Sequence, residues 1–125
     1  GWAVQRTKEL AEAGAVIVKG NHDEAAVADR GGMTADAAAS AEWTRKALGS
    51  AEKRFLDLLP MEATEEDRLY VHADAKEPTR WRYTRSAEEA RAALEAVRAR
   101  IVLCGHVHIP AIYSVTATAK MVRFR

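Results

Sequence analysis

A single cysteine among 125 residues leaves no partner for an intramolecular disulfide and no Cys-x-x-Cys pair for a redox or zinc motif. No apolar run is long enough to suggest a signal peptide or a membrane span. Excess charge of one sign is also missing. Nineteen Lys and Arg against 18 Asp and Glu leave a formal net charge of +1, too little for a global field that attracts nucleic acid or an anionic membrane. Internal repeats and low-complexity linkers are absent as well. These absences point to a soluble protein of a reducing compartment, expected in the cytoplasm, with the length of one domain and enough chain to bury a core.

Short apolar runs alternate with helical patterns along the chain. Trp2 to Ala13 reads as a helix stopped by Gly14, followed by a strand over Ala15 to Lys19. An alanine-rich helix is expected from Asp23 to Arg30, broken by Gly31-Gly32. Thr34 is placed to cap a helix over Ala35 to Leu48 that carries Trp43 and Leu48, and another runs from Ala51 to Leu59 with Phe55, Leu58 and Leu59 on its apolar face. Leu69 to Ala73 reads as a buried strand, and Lys76-Glu77-Pro78 as irregular chain. Ser86 and Glu89 form a capping box for a helix ending near Arg100, and Ile101 to Cys104 is a further buried strand. Ala111 to Thr116 and Lys120 to Phe124 look like two strands joined by a short polar loop. The alternation argues for an α/β sandwich with its ligands collected where strands end.

Three of those strand ends carry chemistry. Cys104-Gly105-His106-Val107-His108 places two imidazoles at i and i+2. Gly20-Asn21-His22-Asp23 follows Val16-Ile17-Val18, and His72-Ala73-Asp74 follows Leu69-Tyr70-Val71. Neutral imidazoles with an amide oxygen suit a transition metal far better than Ca²⁺, which prefers an all-oxygen shell. Next to an amide ligand, His22 is free for acid or base work; alternatively His22 and Asp23 form a loop ion pair or a helix cap. Cys104 is set aside as a thiolate ligand, because a buried cysteine next to a strand end is commonly plain core. Arg80-Trp81-Arg82-Tyr83 with Arg85 interleaves cations and aromatics, as a surface that pairs phosphates and stacks bases does, which makes Arg80 and Arg82 candidate substrate contacts. The other reading has Trp81 and Tyr83 packing one face of an extended segment while the arginines stay solvated.

Gly-Asn-His-Asp, then His-Ala after a strand, then Gly-His-x-His resembles the motif series of the calcineurin-like metallophosphoesterase family. Trp43-Thr44-Arg45, Phe55 to Pro60 and the closing hairpin resemble a bacterial branch related to diadenosine tetraphosphatases and serine/threonine phosphatases. The resemblance implies Asn21, His72 and His106 as ligands of one metal, His108 as a ligand of a second, and His22 as the histidine that assists the leaving group. It also implies two divalent transition-metal ions (Mn foremost, or Fe, Zn, Co or Ni), about 3.5–4 Å apart, that activate a hydroxide for hydrolysis of phosphate esters or anhydrides. The expected substrate is a nucleotide, another phosphorylated small molecule or a phosphoprotein, with no membrane or nucleic-acid partner.

The family's Asp-x-His on a first strand and its Gly-Asp motif do not occur here, and the chain opens at Gly1 within a helix. On that ground the sequence reads as an interior part of the domain, covering residues 1–125, with the sandwich incomplete and its first strands missing. The alternative function is a truncated, non-catalytic domain that binds one metal ion or phosphate. A structural zinc domain fits poorly, because such sites usually draw on several cysteines. A sheet edge left open by missing strands is a template for pairing with another copy. The chain is therefore expected to self-associate; sedimentation showing a monomer at high concentration would contradict this.

Overall fold

The computed structural model describes residues 1–28, 31–116 and 121–124. The chain divides into two compact units, Gly1–Pro60 and Met61–Arg125.

The first unit is helical: α1 (Trp2–Glu12), α2 (Asn21–Val27), α3 (Ala35–Ala47) and α4 (Ser50–Asp57). Gly14 at φ +94° turns the chain out of α1 in the left-handed region where glycine carries no steric penalty. The Thr34 hydroxyl accepts from the Ala37 N–H at 3.4 Å, capping α3 as its sequence position predicts. The core consists of Ala26, Leu48 and Leu56, with Val4, Val27, Phe55 and Leu59 packed against it. Phe55 and Leu56 on α4, with Leu59 two residues past its end, form the apolar face of this segment. Leu58 falls off that face and is 75% exposed, so it does not belong to the apolar stripe expected of it. Trp43 is likewise exposed on α3, where only Ala41 is buried.

Ala15 to Lys19 does not form the expected strand, because among the described residues no strand pairs with it. A strand exists through its ladder, and the segment is held at its end instead. The Lys19 N–H donates to the Pro60 carbonyl at 2.7 Å, and Lys19 Nζ donates to the Asp57 carbonyl at 2.7 Å. The expected helix end at Arg30 lies outside the described residues.

The second unit carries the sheets: β1 (Glu62–Glu65), β2 (Arg68–Val71), a 3₁₀ turn at Pro78–Arg80, α5 (Ala87–Ala96), β3 (Ile101–Leu103), β4 (Ile112–Val115) and β5 (Met121–Phe124). The order β1-β2-β3 is mixed: β1 is antiparallel to β2, and β3 runs parallel to it with Leu69 opposite Val102. Parallel strands need a long crossover, and residues 72–100, including α5, provide it. Leu69, Val71, Ala75 and Ala93 form the core, backed by Val97, Ala99 and Val102. The small Ala90 and Ala93 on α5 are buried and let the helix approach the strands closely. β4 and β5 pair antiparallel, with Ser114 opposite Val122; the expected loop between them and Lys120 lie outside the described residues.

The α/β class read from the sequence holds, with further departures in detail: α5 ends at Ala96 rather than near Arg100, and two strands differ from expectation. β1 was not anticipated: Glu-Ala-Thr-Glu lacks apolar alternation, and its two-residue turn uses Glu66 at φ +52° where glycine or asparagine would mark a hairpin. β3 is less buried than expected: Ile101 at 38% and Leu103 at 44% exposure share one face of the strand, while Val102 on the other packs against the core.

The capping box of α5 forms as expected. Ser86 Oγ accepts from the Glu89 N–H at 3.1 Å, and Glu89 accepts from the N–H groups of Arg85 at 2.7 Å and Ser86 at 3.0 Å. The Arg85 N–H, against a smaller opposing cost of burial, holds the Glu89 carboxyl below its ordinary 4.5. A carboxylate with a lowered folded pKa adds stability above its unfolded pKa and loses it as pH falls through the lower folded value. Urea unfolding should therefore show Ser86→Ala costing about 1 kcal/mol at pH 7. Glu89→Gln should also destabilise at pH 7, and its difference from the parent should close as pH drops below 4.5.

Candidate metal centre

His72 and His106 sit just past the ends of neighbouring parallel strands, where the open edge of an α/β sheet collects ligands. The register carries them together. Beyond Tyr70 opposite Leu103, the ladder continues one step further, with the Gly105 N–H donating to the His72 carbonyl at 2.9 Å. The chain then turns sharply. His106 and His108 adopt φ +64° and +56°, and Trp81 φ +53°, so three of the four left-handed non-glycine residues among the described residues lie in these loops. Such backbone costs on the order of 1–3 kcal/mol per residue and collects at functional sites.

His72 Nε2 lies 3.2 Å from His106 Nδ1. Two imidazole nitrogens that each bind one ion at about 2.0–2.1 Å lie about 2.8–3.4 Å apart between octahedral and tetrahedral angles, so the pair has the spacing of two neighbouring ligands. The other nitrogen of His106, Nε2, lies 2.9 Å from the Trp81 carbonyl. A carbonyl can only accept, so Nε2 carries the proton and Nδ1 of the neutral ring presents its lone pair toward His72. This is the outer-shell arrangement that orients a metal-binding histidine. The donor set and spacing thus fit a divalent transition ion on two nitrogens.

Aromatic rings enclose the pair. Tyr83 stacks on His106 with centroids 4.4 Å apart at 14°, and Trp81 meets His72 edge-on at 5.9 Å. Arg85 sits over the Tyr83 ring, its Cζ 3.9 Å from the centroid. The buried Asp74 ties the two loops: its N–H donates to the Arg82 carbonyl at 3.2 Å and its carboxylate accepts from the Lys76 N–H at 3.3 Å.

The remaining sequence candidates are distributed as follows. Asn21 and His22 open α2 in the first unit. Gly20 is the N-cap, its N–H donating to the Asp23 carboxylate at 2.8 Å, so the helix starts two residues earlier than expected and Asp23 serves the cap. His22 is exposed. His108 is exposed in the second unit, and among the described residues no three His, Cys, Asp or Glu side chains gather as a metal cluster. Arg80 and Arg82 both pair with Glu77, at 3.6 and 2.9 Å. Cys104 is exposed rather than core, yet the protein crowded around its sulfur, aided by the nearby Asp74 charge, pushes the thiol pKa up. A protonated thiol at neutral pH is a poor ligand. Sequence reasoning missed Tyr83 and the Trp81 carbonyl as neighbours of His106; the aromatic-cationic run at residues 80–85 was the signal, but neither its substrate reading nor its packing reading connects it to His106.

The model of the calcineurin-like phosphoesterase superfamily domain matches residues 3–123, and the chain belongs to that superfamily. It is also similar to the crystal structure of a metallophosphoesterase from Sphaerobacter thermophilus, at 27% identity and a TM-score of 0.64, over 78% of this chain and 40% of that one. The chain therefore spans less than half the length of that relative's chain. No curated protein matches it.

A Cβ at Gly105 would meet the His72 carbonyl oxygen at 3.6 Å, an ordinary contact, and the substitution keeps the N–H. Gly105→Ala should leave stability unchanged or raise it by up to about 1 kcal/mol in chemical denaturation. A loss of more than that would show that the two histidine loops approach more tightly than this geometry.

Proposed function

We propose that this protein is a metal-dependent hydrolase of phosphate esters or anhydrides, acting on a nucleotide or a phosphoprotein. The observation that carries this reading is the His72–His106 pair, with its 3.2 Å nitrogen spacing and the His106 proton held on Nε2, in a chain of the calcineurin-like phosphoesterase superfamily. His72 and His106 would hold one ion; on the family resemblance, Asn21 is a further candidate metal ligand and His108 a candidate for a second ion. Mn²⁺ is the first choice among Mn, Fe, Zn, Co and Ni. Divalent ions bound there would lower the pKa of water and neutralise phosphoryl charge.

The chain's own groups divide the remaining work. The Trp81 carbonyl keeps the His106 proton away from the ligand nitrogen. The exposed imidazole of His22 is available to give a proton to the departing oxygen. Arg80 and Arg82 offer guanidinium groups matched to phosphate oxygens, once these displace the Glu77 carboxylate that now pairs with both. Because such exposed pairs are worth about 0–1 kcal/mol, Glu77 is an easy partner to displace.

Hydrolysis of aryl phosphate mono- and diesters, with and without Mn²⁺, tests the reading. His106→Ala and Asn21→Ala should each lower turnover by about 100-fold or more, since even outer-shell partners of a metal ligand are worth 10- to 100-fold. His22→Ala should lower kcat by about 10²- to 10⁴-fold while Mn²⁺ binding is retained. Turnover unchanged in both ligand variants would sink the proposal.

A further inference from the structure

An imidazole turns over a broad range about its second side-chain torsion, and the hydrogen bonds of His106 to His72 and to the Trp81 carbonyl act on its plane from the ring edge. A half-turn about that torsion would put ring carbons where Nδ1 meets His72 and Nε2 meets the Trp81 carbonyl. The ring in contact with its face is Tyr83, 4.4 Å away and within 14° of parallel.

Tyr83 is itself held. On one side of it in sequence, the Arg82 carbonyl accepts from the Asp74 N–H at 3.2 Å. On the other, the Arg85 carbonyl accepts from the Tyr113 hydroxyl at 2.9 Å, and the Arg85 guanidinium lies over the Tyr83 ring. The loop therefore fixes the ring from both flanks, although 43% of Tyr83 remains exposed. A large aromatic side chain left half in solvent, with its backbone tethered on both sides and its face on a candidate ligand, contributes little to a core and much to orientation.

Resting on the metal-site reading above, we propose that Tyr83 is a positioning residue for His106: its ring fixes the imidazole plane, holds the proton on Nε2 and presents Nδ1 to the ion. The run Arg80-Trp81-Arg82-Tyr83 then has a division of labour that the sequence did not reveal. The Trp81 carbonyl takes the proton, Tyr83 sets the plane, and Arg85 steadies Tyr83 through the cation–π contact. Stacking uses the ring face and not the hydroxyl, so phenylalanine should replace Tyr83 and leucine should not.

Long-range proton–nitrogen correlation spectra of the metal-free protein report which imidazole nitrogen carries the proton, and Zn²⁺ titration reports affinity. The parent and Tyr83→Phe should show His106 in the Nε2–H form with equal Zn²⁺ affinity. Tyr83→Leu should show averaged ring-nitrogen shifts and bind Zn²⁺ about 10-fold more weakly. Its amide spectrum should stay dispersed, because an exposed position leaves no core cavity when substituted. Tyr83→Leu with an unchanged Nε2–H signature, or a parent in the Nδ1–H form, would overturn the proposal. A parent that binds no Zn²⁺ while the tautomer differences hold would uphold the positioning role and overturn the metal reading, so the two failures are distinguishable.

Discussion

The parallel pairing of β2 with β3, carried one step past the strands by the Gly105 N–H bond to the His72 carbonyl, is the constraint on which the candidate site depends. Side chains alternate along a strand, so a slip of one residue would turn His106 away from His72. Several features hold the register in place. Leu69 and Val71 bury against Ala93 of the crossover helix, with Val102 packed behind them. The Asp67 carbonyl accepts from the N–H groups of Arg100 at 2.8 Å and Ile101 at 3.1 Å, fixing the start of β3 against the β1–β2 turn. The Arg100 guanidinium also bonds the Asp67 carboxylate and lowers its pKa. The apolar core and the turn thus act on the same variable, the position of β3 along β2.

The chemistry of the site follows from what surrounds that register. Of two imidazole nitrogens 3.2 Å apart, one can donate and the other accept. The Trp81 carbonyl assigns the accepting role to His106, since it claims the proton on the far nitrogen. Left-handed backbone at Trp81, His106 and His108 shows that the loops hold these residues in conformations that ordinary packing would avoid.

The sequence made the α/β class, the capped helices and the histidine motifs legible, because each depends on local signals. Thr34 and Ser86 cap the helices that follow them, and Gly14 ends α1. The motifs at His72 and His106 stand at strand ends, as their apolar approaches indicated. What was not legible depended on partners distant in sequence. β1 has no apolar alternation and exists because β2 pairs with it. Val16-Ile17-Val18 has strong strand propensity yet lacks a described partner, so propensity alone did not produce a strand. Tyr83 could not be assigned to His106 from spacing, because 23 positions of chain and a helix separate them.

The central claim is that His72 and His106 together bind one divalent ion through their facing nitrogens. X-ray absorption at the zinc edge of the Zn²⁺-loaded protein tests it most directly, because imidazole ligands leave multiple-scattering features that oxygen ligands do not. The account predicts at least two imidazoles per ion at about 2.0–2.1 Å, with one lost in His72→Ala and one in His106→Ala. A shell of oxygen ligands alone, or an imidazole count that neither substitution changes, would contradict it.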